Sequence, residues 1–144
     1  MPSVFIEKFV ASTVQCDDLL DSIKGKGAEL IDVFAADPQV KNSVLDNFRS
    51  KGYEIASAAP GVNSATAGGV NKGAARLGMC ERLGITPDEA MAFGDAENDA
   101  PMLRIAGLSF AMANGTEPCK LAAKAIAPSN ADDGVAQMIN KYAF

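Results

Sequence analysis

Three polar residues that follow an apolar run have the types and spacing to do chemistry together: Asp95, Asn98 and Asp99. Their spacing brings the three side chains to one side of a turn between a strand and a helix. Gly94 lets the backbone come close to a bound group, because glycine has no Cβ atom. Two carboxylates and an amide at the carboxyl end of a buried strand are typical of a site for a hard cation and a phosphate.

A lysine upstream, Lys72, supplies the positive charge that such a site needs. A lysine in a half-dry pocket needs an anion to stay charged and to be held in one rotamer, and Asp99 can provide that anion. The Gly-Val-Asn-Lys-Gly segment around Lys72 is not a P-loop, since it lacks the two-glycine spacing and the Ser or Thr after the lysine. Taken one at a time, these residues also fit ordinary roles, namely a solvated lysine, a turn aspartate at Asp95 and a helix cap at Asn98.

The elements that must position these residues form an alternation of helices and strands after residue 69. A helix is predicted from about Asn71 to Leu83, and a strand at Met91–Phe93 ends at the acidic turn. Asn98 can cap the next helix, with Pro101 in its first turn. Further strands are predicted at Leu108–Met112 and Ala125–Ala127, and the last helix begins at Asp132 or Asp133. Strands that alternate with helices favour a parallel sheet.

The preceding segment, from about residue 28 to residue 68, follows a β-α-β-β pattern. Strands are predicted at Glu29–Phe34, Tyr53–Ala58 and Val62–Ala67, with a turn at Pro60-Gly61 between the last two. The helix between the first two strands starts at a capping Asp37, and Val40, Val44, Leu45 and Phe48 form its apolar stripe. Residues 1–27 are ambiguous: residues 4–10 fit a strand or a helix, and residues 17–23 read as a short helix.

Together the two motifs resemble the haloacid dehalogenase (HAD) superfamily of phosphatases, and within it the large-capped sugar-phosphatase branch often called Cof-like. Lys72 matches the family's third motif, and Gly94-Asp95-x-x-Asn98-Asp99 matches its fourth. The resemblance implies catalytic roles for Lys72 and Asp99, phosphate binding by Lys72 and Asn98, and Mg²⁺ ligation by Asp95.

The resemblance also implies an α/β fold: the C-terminal part of a HAD-type Rossmannoid parallel sheet with helices on both faces, preceded by a partial α+β cap. Residues 1–68 are then a remnant of the cap, and residues 69–144 the C-terminal half of the core. In the intact family an aspartate attacks phosphorus, and water hydrolyses the aspartyl-phosphate while Mg²⁺ and the lysine hold the phosphoryl oxygens.

The sequence departs from the family at the nucleophile, since it contains no Asp-x-Asp. The nearest imitation is Leu30-Ile31-Asp32-Val33-Phe34, where Phe34 takes the second acidic position. The Ser or Thr of the family's second motif has no counterpart either. We therefore expect a truncated HAD phosphatase that is inactive by itself, and we leave its status as an enzyme open.

The composition of the chain disfavours several classes of binding partner. The net charge is −5 with no Lys/Arg cluster, which disfavours nucleic acid, and no window approaches the length of a membrane span. The chain has no histidine and an odd number of widely spaced cysteines, which argues against zinc and a disulfide framework and favours a reducing cytoplasm. The expected ligands are Mg²⁺ and a small phosphorylated metabolite.

Three functions remain open at this point. The chain is a fragment of a Mg²⁺-dependent phosphatase, a non-catalytic module that binds a cation or phosphate, or one half of a split enzyme. The strand before Asp95 would neighbour the nucleophile's strand, so without that strand it would be an open edge. We expect this edge to be covered by self-association, by a complementing N-terminal chain, or by residues 1–27.

Overall fold

Two three-stranded sheets, one antiparallel and one parallel, organise the described part of this computed structural model, which is residue 11, residues 13–59 and residues 62–143. In chain order the elements are α1 (Leu19–Ile23), β1 (Leu30–Val33), α2 (Pro38–Ser50), β2 (Glu54–Ala59), β3 (Val62–Thr66), α3 (Lys72–Leu83), β4 (Met91–Gly94), α4 (Ala100–Arg104), β5 (Leu108–Met112), α5 (Glu117–Ala122), β6 (Ala125–Ala127) and α6 (Gly134–Tyr142). Short 3-10 turns lie at Pro87–Glu89, Glu97–Asp99 and Asn130–Asp132. No helix among these described residues is long and apolar enough to cross a membrane.

The antiparallel sheet has the strand order β1-β3-β2, with β3 paired to both neighbours. Residues on one strand alternate between the two faces of a sheet. Helix α2 packs along β1 and β2, and Leu45 of α2 and Ala65 of β3 are buried. The predicted stripe on α2 is only partly covered, because Val40 and Val44 remain exposed. Because α2 covers one face of this sheet, the opposite face can border a site.

The parallel sheet has the order β4-β5-β6 and carries helices on both faces. On one face, a buried cluster joins the sheet to α4 and α5: Ala92, Leu103, Ala106, Ala111 and Cys119. On the other face, Phe110, Met112 and Ala127 pack against Met138 of α6. The predicted α/β class, with a parallel sheet between helix layers, is confirmed.

Strand β4 pairs only with β5 among the strands that the structure describes, so one of its edges carries no described strand. That edge is where the nucleophile's strand was expected. The division into a cap remnant and a core half stays a prediction. The expectations for residues 4–10 and for the Pro60-Gly61 turn concern residues outside the described ranges.

Candidate active site

Lys72 is the first residue of α3, and local packing fixes where that helix begins. Asn71 caps the helix, because its Oδ1 accepts a hydrogen bond from the backbone N–H of Ala74 at 3.0 Å. Gly73 lets α3 lie directly on α4, since a Cβ at Gly73 would stand 3.0 Å from atoms of Pro101. This close approach brings the lysine over the residues that immediately precede α4.

Asp99 receives the lysine. The Nζ of Lys72 donates to Oδ1 of Asp99, while Oδ2 accepts the backbone N–H groups of Asp95 and Ala96 at 3.0 and 3.1 Å. The Asp99 side chain is 6% exposed and the Lys72 side chain 49% exposed. Burial by itself raises the pKa of Asp99, but the hydrogen bonds from Lys72 and the two amides outweigh it and hold that pKa below the ordinary value.

Gly94 makes this arrangement possible at the end of β4. A Cβ on Gly94 would stand 2.5 Å from the Cβ of Asp99, a distance at which something must move. The turn is tied down from the other side as well, because the N–H of Thr116 donates to the carbonyl oxygen of Asp95 at 2.8 Å. Gly94 therefore leaves the space that the Asp99 side chain occupies.

Asn98 lies next to the ion pair, and its Oδ1 is 3.4 Å from the Nζ of Lys72. The prediction that Asn98 caps the following helix is wrong. Residues 97–99 form a 3-10 turn that runs straight into α4, so Asp99 occupies the cap position of α4 and Asn98 lies within the turn. Its side chain is thus directed to the lysine instead of to backbone amides.

Asp95 contributes an exposed carboxylate at the carboxyl end of β4, beside the edge that carries no described strand. Its side chain has no hydrogen-bond or ion-pair partner within the described ranges, whereas both oxygens of Asp99 are occupied. No three acidic, Cys or His residues of the described part are grouped closely enough to hold a metal. One free carboxylate suits Mg²⁺, which binds one or two carboxylates and completes its shell with phosphate oxygens and water.

A cleft of about 510 Å³ separates the antiparallel sheet from α3 and the turn before α4. Lys72 and Asn98 line its base. The opposite wall is the sheet face left free by α2, and it presents the paired rows Leu30–Thr66–Glu54 and Asp32–Ser64–Ala56. Of these six residues, all but Asp32 line the cleft.

Some residues around the site were missed by sequence reasoning. Glu54 and Arg104 line the cleft, and the exposed Glu97 also borders it. Arg76 holds α3 to the start of β4, since its guanidinium donates to the carbonyl oxygens of Ala90 at 2.7 Å and Pro87 at 3.2 Å. The one available signal for Arg76 was its position one helical turn after Lys72.

The fold and the arrangement of the site residues are those of a haloacid dehalogenase-like hydrolase, and a comparison with protein-family profiles agrees. The chain belongs to the haloacid dehalogenase-like hydrolases, whose family profile matches residues 5–139. This match confirms the predicted family, and a solved sugar-phosphatase structure described in the next paragraph confirms the predicted branch.

The particular relatives are phosphatases. The chain is similar to 5-amino-6-(5-phospho-D-ribitylamino)uracil phosphatase YcsE of Bacillus subtilis, with 38% identity over 107 residues, which is 74% of this chain and 43% of the relative. It is 47% identical over 72 residues to a phosphoglycolate phosphatase of Methanopyrus kandleri, covering 50% of this chain and 31% of that protein. The HAD subclass IIB sugar phosphatase BT4131 superposes with a TM-score of 0.79 at 25% identity, over 99% of this chain and 55% of that structure. The chain thus spans less than half of these curated relatives and about half of this structure.

Proposed function

We propose that this chain carries the phosphate-binding and Mg²⁺-binding half of a phosphatase site for small phosphorylated metabolites, and that it does not turn over substrate by itself. The observation that carries the proposal is the meeting of Lys72 with Asn98 and Asp99. Lys72 and Asn98 line the base of the cleft, whereas Asp99 lines a second, smaller pocket of about 260 Å³ together with Asp95. These side chains come from α3 and from the turn after β4, and their meeting was predicted from the motifs.

Phosphate binding follows from the charge and exposure of Lys72. Its ammonium is held in one place by Asp99, yet about half of the side chain remains exposed toward the cleft. A positioned cation that still has donors to offer can bind a phosphoryl oxygen and stabilise charge as the group transfers. Asn98 adds an amide beside it.

Asp95 is the residue that would hold Mg²⁺. Its carboxylate is free of protein partners within the described ranges, as a ligand requires. When bound, the ion would neutralise charge on the phosphoryl oxygens. Asp99 then acts on the lysine, because its carboxylate already accepts hydrogen bonds from Lys72 and from two backbone amides.

The missing activity follows from the missing nucleophile. The sequence has no Asp-x-Asp, and attack on phosphorus requires a nucleophile in line within about 3–3.5 Å. A strand with that motif would fit the edge of β4 that pairs with no strand of the described residues, which lies directly beside Asp95. We therefore propose two partners for this edge: a complementing N-terminal chain, which would bring the nucleophile, or a second copy of this chain, which would cover the edge without bringing one.

The size of the substrate is constrained by the cleft and by the relatives. A volume of about 510 Å³ falls within the range of small-molecule sites. The relatives named above act on a phosphorylated ribitylaminouracil and on phosphoglycolate, which are both small phosphate esters. Cys80 and Cys119 are buried free thiols, which supports a reducing, cytoplasmic setting for such a reaction.

The test uses p-nitrophenyl phosphate and Mg²⁺ with the full chain and with Asp95→Asn. We expect no turnover above the rate without protein in either case. Clear turnover that the substitution abolishes would contradict the proposed inactivity of the chain.

A non-catalytic binding module is the second candidate, because the Lys72–Asp99 pair persists without a nucleophile. Adding a chain that bears an Asp-x-Asp strand distinguishes the two. Turnover that appears on mixing supports a complementing half. Phosphate binding without turnover on mixing supports the binding module.

A further inference from the structure

Beyond Lys72, the described residues that line the cleft carry more negative than positive charge. Glu54 comes from the sheet wall and Glu97 from the turn after β4. Among the described residues, Arg104 at the end of α4 is the single cation besides Lys72 that lines the cleft. Strand β2 lies close to the turn that contains Glu97, and both carboxylates line the cleft. The positive charge of Lys72 is already balanced by Asp99.

None of these three side chains is neutralised by a neighbour. No ion pair within 4.0 Å involves Glu54, Glu97 or Arg104 in the part of the chain that the structure describes. Asp32 on the same sheet does not line the cleft, so the balance there is two carboxylates against the guanidinium of Arg104. A leaving group that enters the cleft beyond the phosphate therefore meets a net negative surface.

We propose that Glu54 and Glu97 determine specificity by rejecting phosphate esters whose leaving group carries a second anion, so that the site takes esters of neutral or cationic alcohols. In this respect the chain would differ from its phosphoglycolate phosphatase relative, whose substrate has a carboxylate in the leaving group. This inference rests on the proposed function, because it assumes that the phosphate binds at Lys72. It adds a repulsive element to the attractive one, which is how many sites discriminate between similar ligands.

The size of the effect follows from Coulomb's law. A carboxylate about 7 Å from a second anion, in a half-solvated cleft of effective dielectric constant about 40 to 80, weakens binding about three- to sevenfold. Two such carboxylates act in the same direction, and Arg104 acts against them. Because exposed charges are screened by salt, the discrimination is largest at low ionic strength.

Two probes with the same carbon skeleton isolate this charge. Glycerol 3-phosphate and 3-phosphoglycerate differ in a CH₂OH group against a carboxylate. Their dissociation constants are measured by ¹⁵N–¹H NMR titration of the full chain in buffer of low ionic strength, a method that detects weak binding. We expect glycerol 3-phosphate to bind at least threefold more tightly, and Glu54→Gln and Glu97→Gln each to reduce this ratio.

The matched control is Glu81→Gln, which removes an exposed carboxylate on α3 that does not line the cleft. It should leave the ratio unchanged. The NMR spectra of the variants also show directly whether each variant remains folded.

Inorganic phosphate, titrated first, separates the two proposals. If phosphate does not bind, or binds equally well to Lys72→Met, the proposed function fails and this inference fails with it. If phosphate binding depends on Lys72 but 3-phosphoglycerate binds as tightly as glycerol 3-phosphate, the inference alone is overturned. The inference is also overturned if Glu54→Gln and Glu97→Gln both leave the ratio of the two dissociation constants unchanged. Loss of 3-phosphoglycerate binding in Arg104→Gln would overturn it as well, because it would show that the site prefers an anionic leaving group.

Discussion

Removing the ammonium of Lys72 should destabilise the fold and change how its stability depends on pH. In Lys72→Met the aliphatic stem remains, but Oδ1 of Asp99 loses its donor while the carboxylate stays buried. Hydrogen bonds to charged groups contribute about 1.5–3 kcal/mol. Because the Lys72 side chain is 49% exposed, solvent screening reduces this, and we expect a coupling free energy between Lys72 and Asp99 of about 1–2 kcal/mol.

The pH dependence has a definite sign. The folded-state pKa of Asp99 lies below the unfolded value, so this group stabilises the fold above its unfolded pKa. That contribution is lost as the pH falls from about 4 through the lower folded pKa. In Lys72→Met the pKa of Asp99 rises, because only the two amide hydrogen bonds oppose burial, and stability should fall less steeply in acid.

The measurement is a double-mutant cycle with Lys72→Met and Asp99→Asn, by urea denaturation at neutral pH and in steps down to about pH 3. The control cycle uses Arg49→Met and Asp46→Asn, an exposed i,i+3 pair on α2 whose atoms are 2.7 Å apart. We expect its coupling to be below about 0.5 kcal/mol. Two results would refute the reasoning. One is a coupling free energy between Lys72 and Asp99 no larger than that of the control pair. The other is a free energy of unfolding that falls equally steeply with decreasing pH in wild type and Lys72→Met.

Three further predictions concern the frame of the site. Gly94→Ala forces a Cβ to within 2.5 Å of Asp99 and should cost about 1–3 kcal/mol of unfolding free energy, whereas Gly78→Ala, in open space within α3, should be neutral or stabilising. Arg76→Met removes the guanidinium donor from the carbonyl oxygen of Ala90, just before β4, and should lower the free energy of unfolding by about 1–3 kcal/mol in the same urea assay; wild-type stability would contradict this. Size-exclusion chromatography with light scattering should show self-association through the free edge of β4, and a fully folded monomer with no added strand would count against it.

Much of the fold could be predicted because the sequence marks its element ends chemically. Asn71 and Gly84 delimit α3, and the left-handed φ of 67° at Gly84 is the conformation that a glycine favours after a helix. Asp37 caps α2 through the N–H of Gln39, with Pro38 as the first helical residue. These signals are local, so they can be read from a few residues without knowledge of the tertiary structure.

The meeting of Lys72 with Asp99 could be predicted only through the family motifs, because the two residues are 27 positions apart. Periodicity predicts two elements but not their mutual distance. That distance depends on Gly73 packing against Pro101, a contact between two elements that no local pattern encodes. The role of Asn98 was mistaken for the same reason: an Asn before a helix usually caps it, but here a 3-10 turn displaces it by one residue.

The wall of the cleft was beyond sequence reasoning, and strand register explains why. Glu54 faces the cleft because it pairs with Thr66, which pairs in turn with Leu30. A slip of one residue would turn the Glu54 side chain to the face covered by α2. The phosphate end of the site is thus encoded by motifs within the core, whereas the charge that meets the leaving group depends on the pairing of three strands. Substitutions along those strands can therefore alter specificity while Lys72, Asp95 and Asp99 stay unchanged.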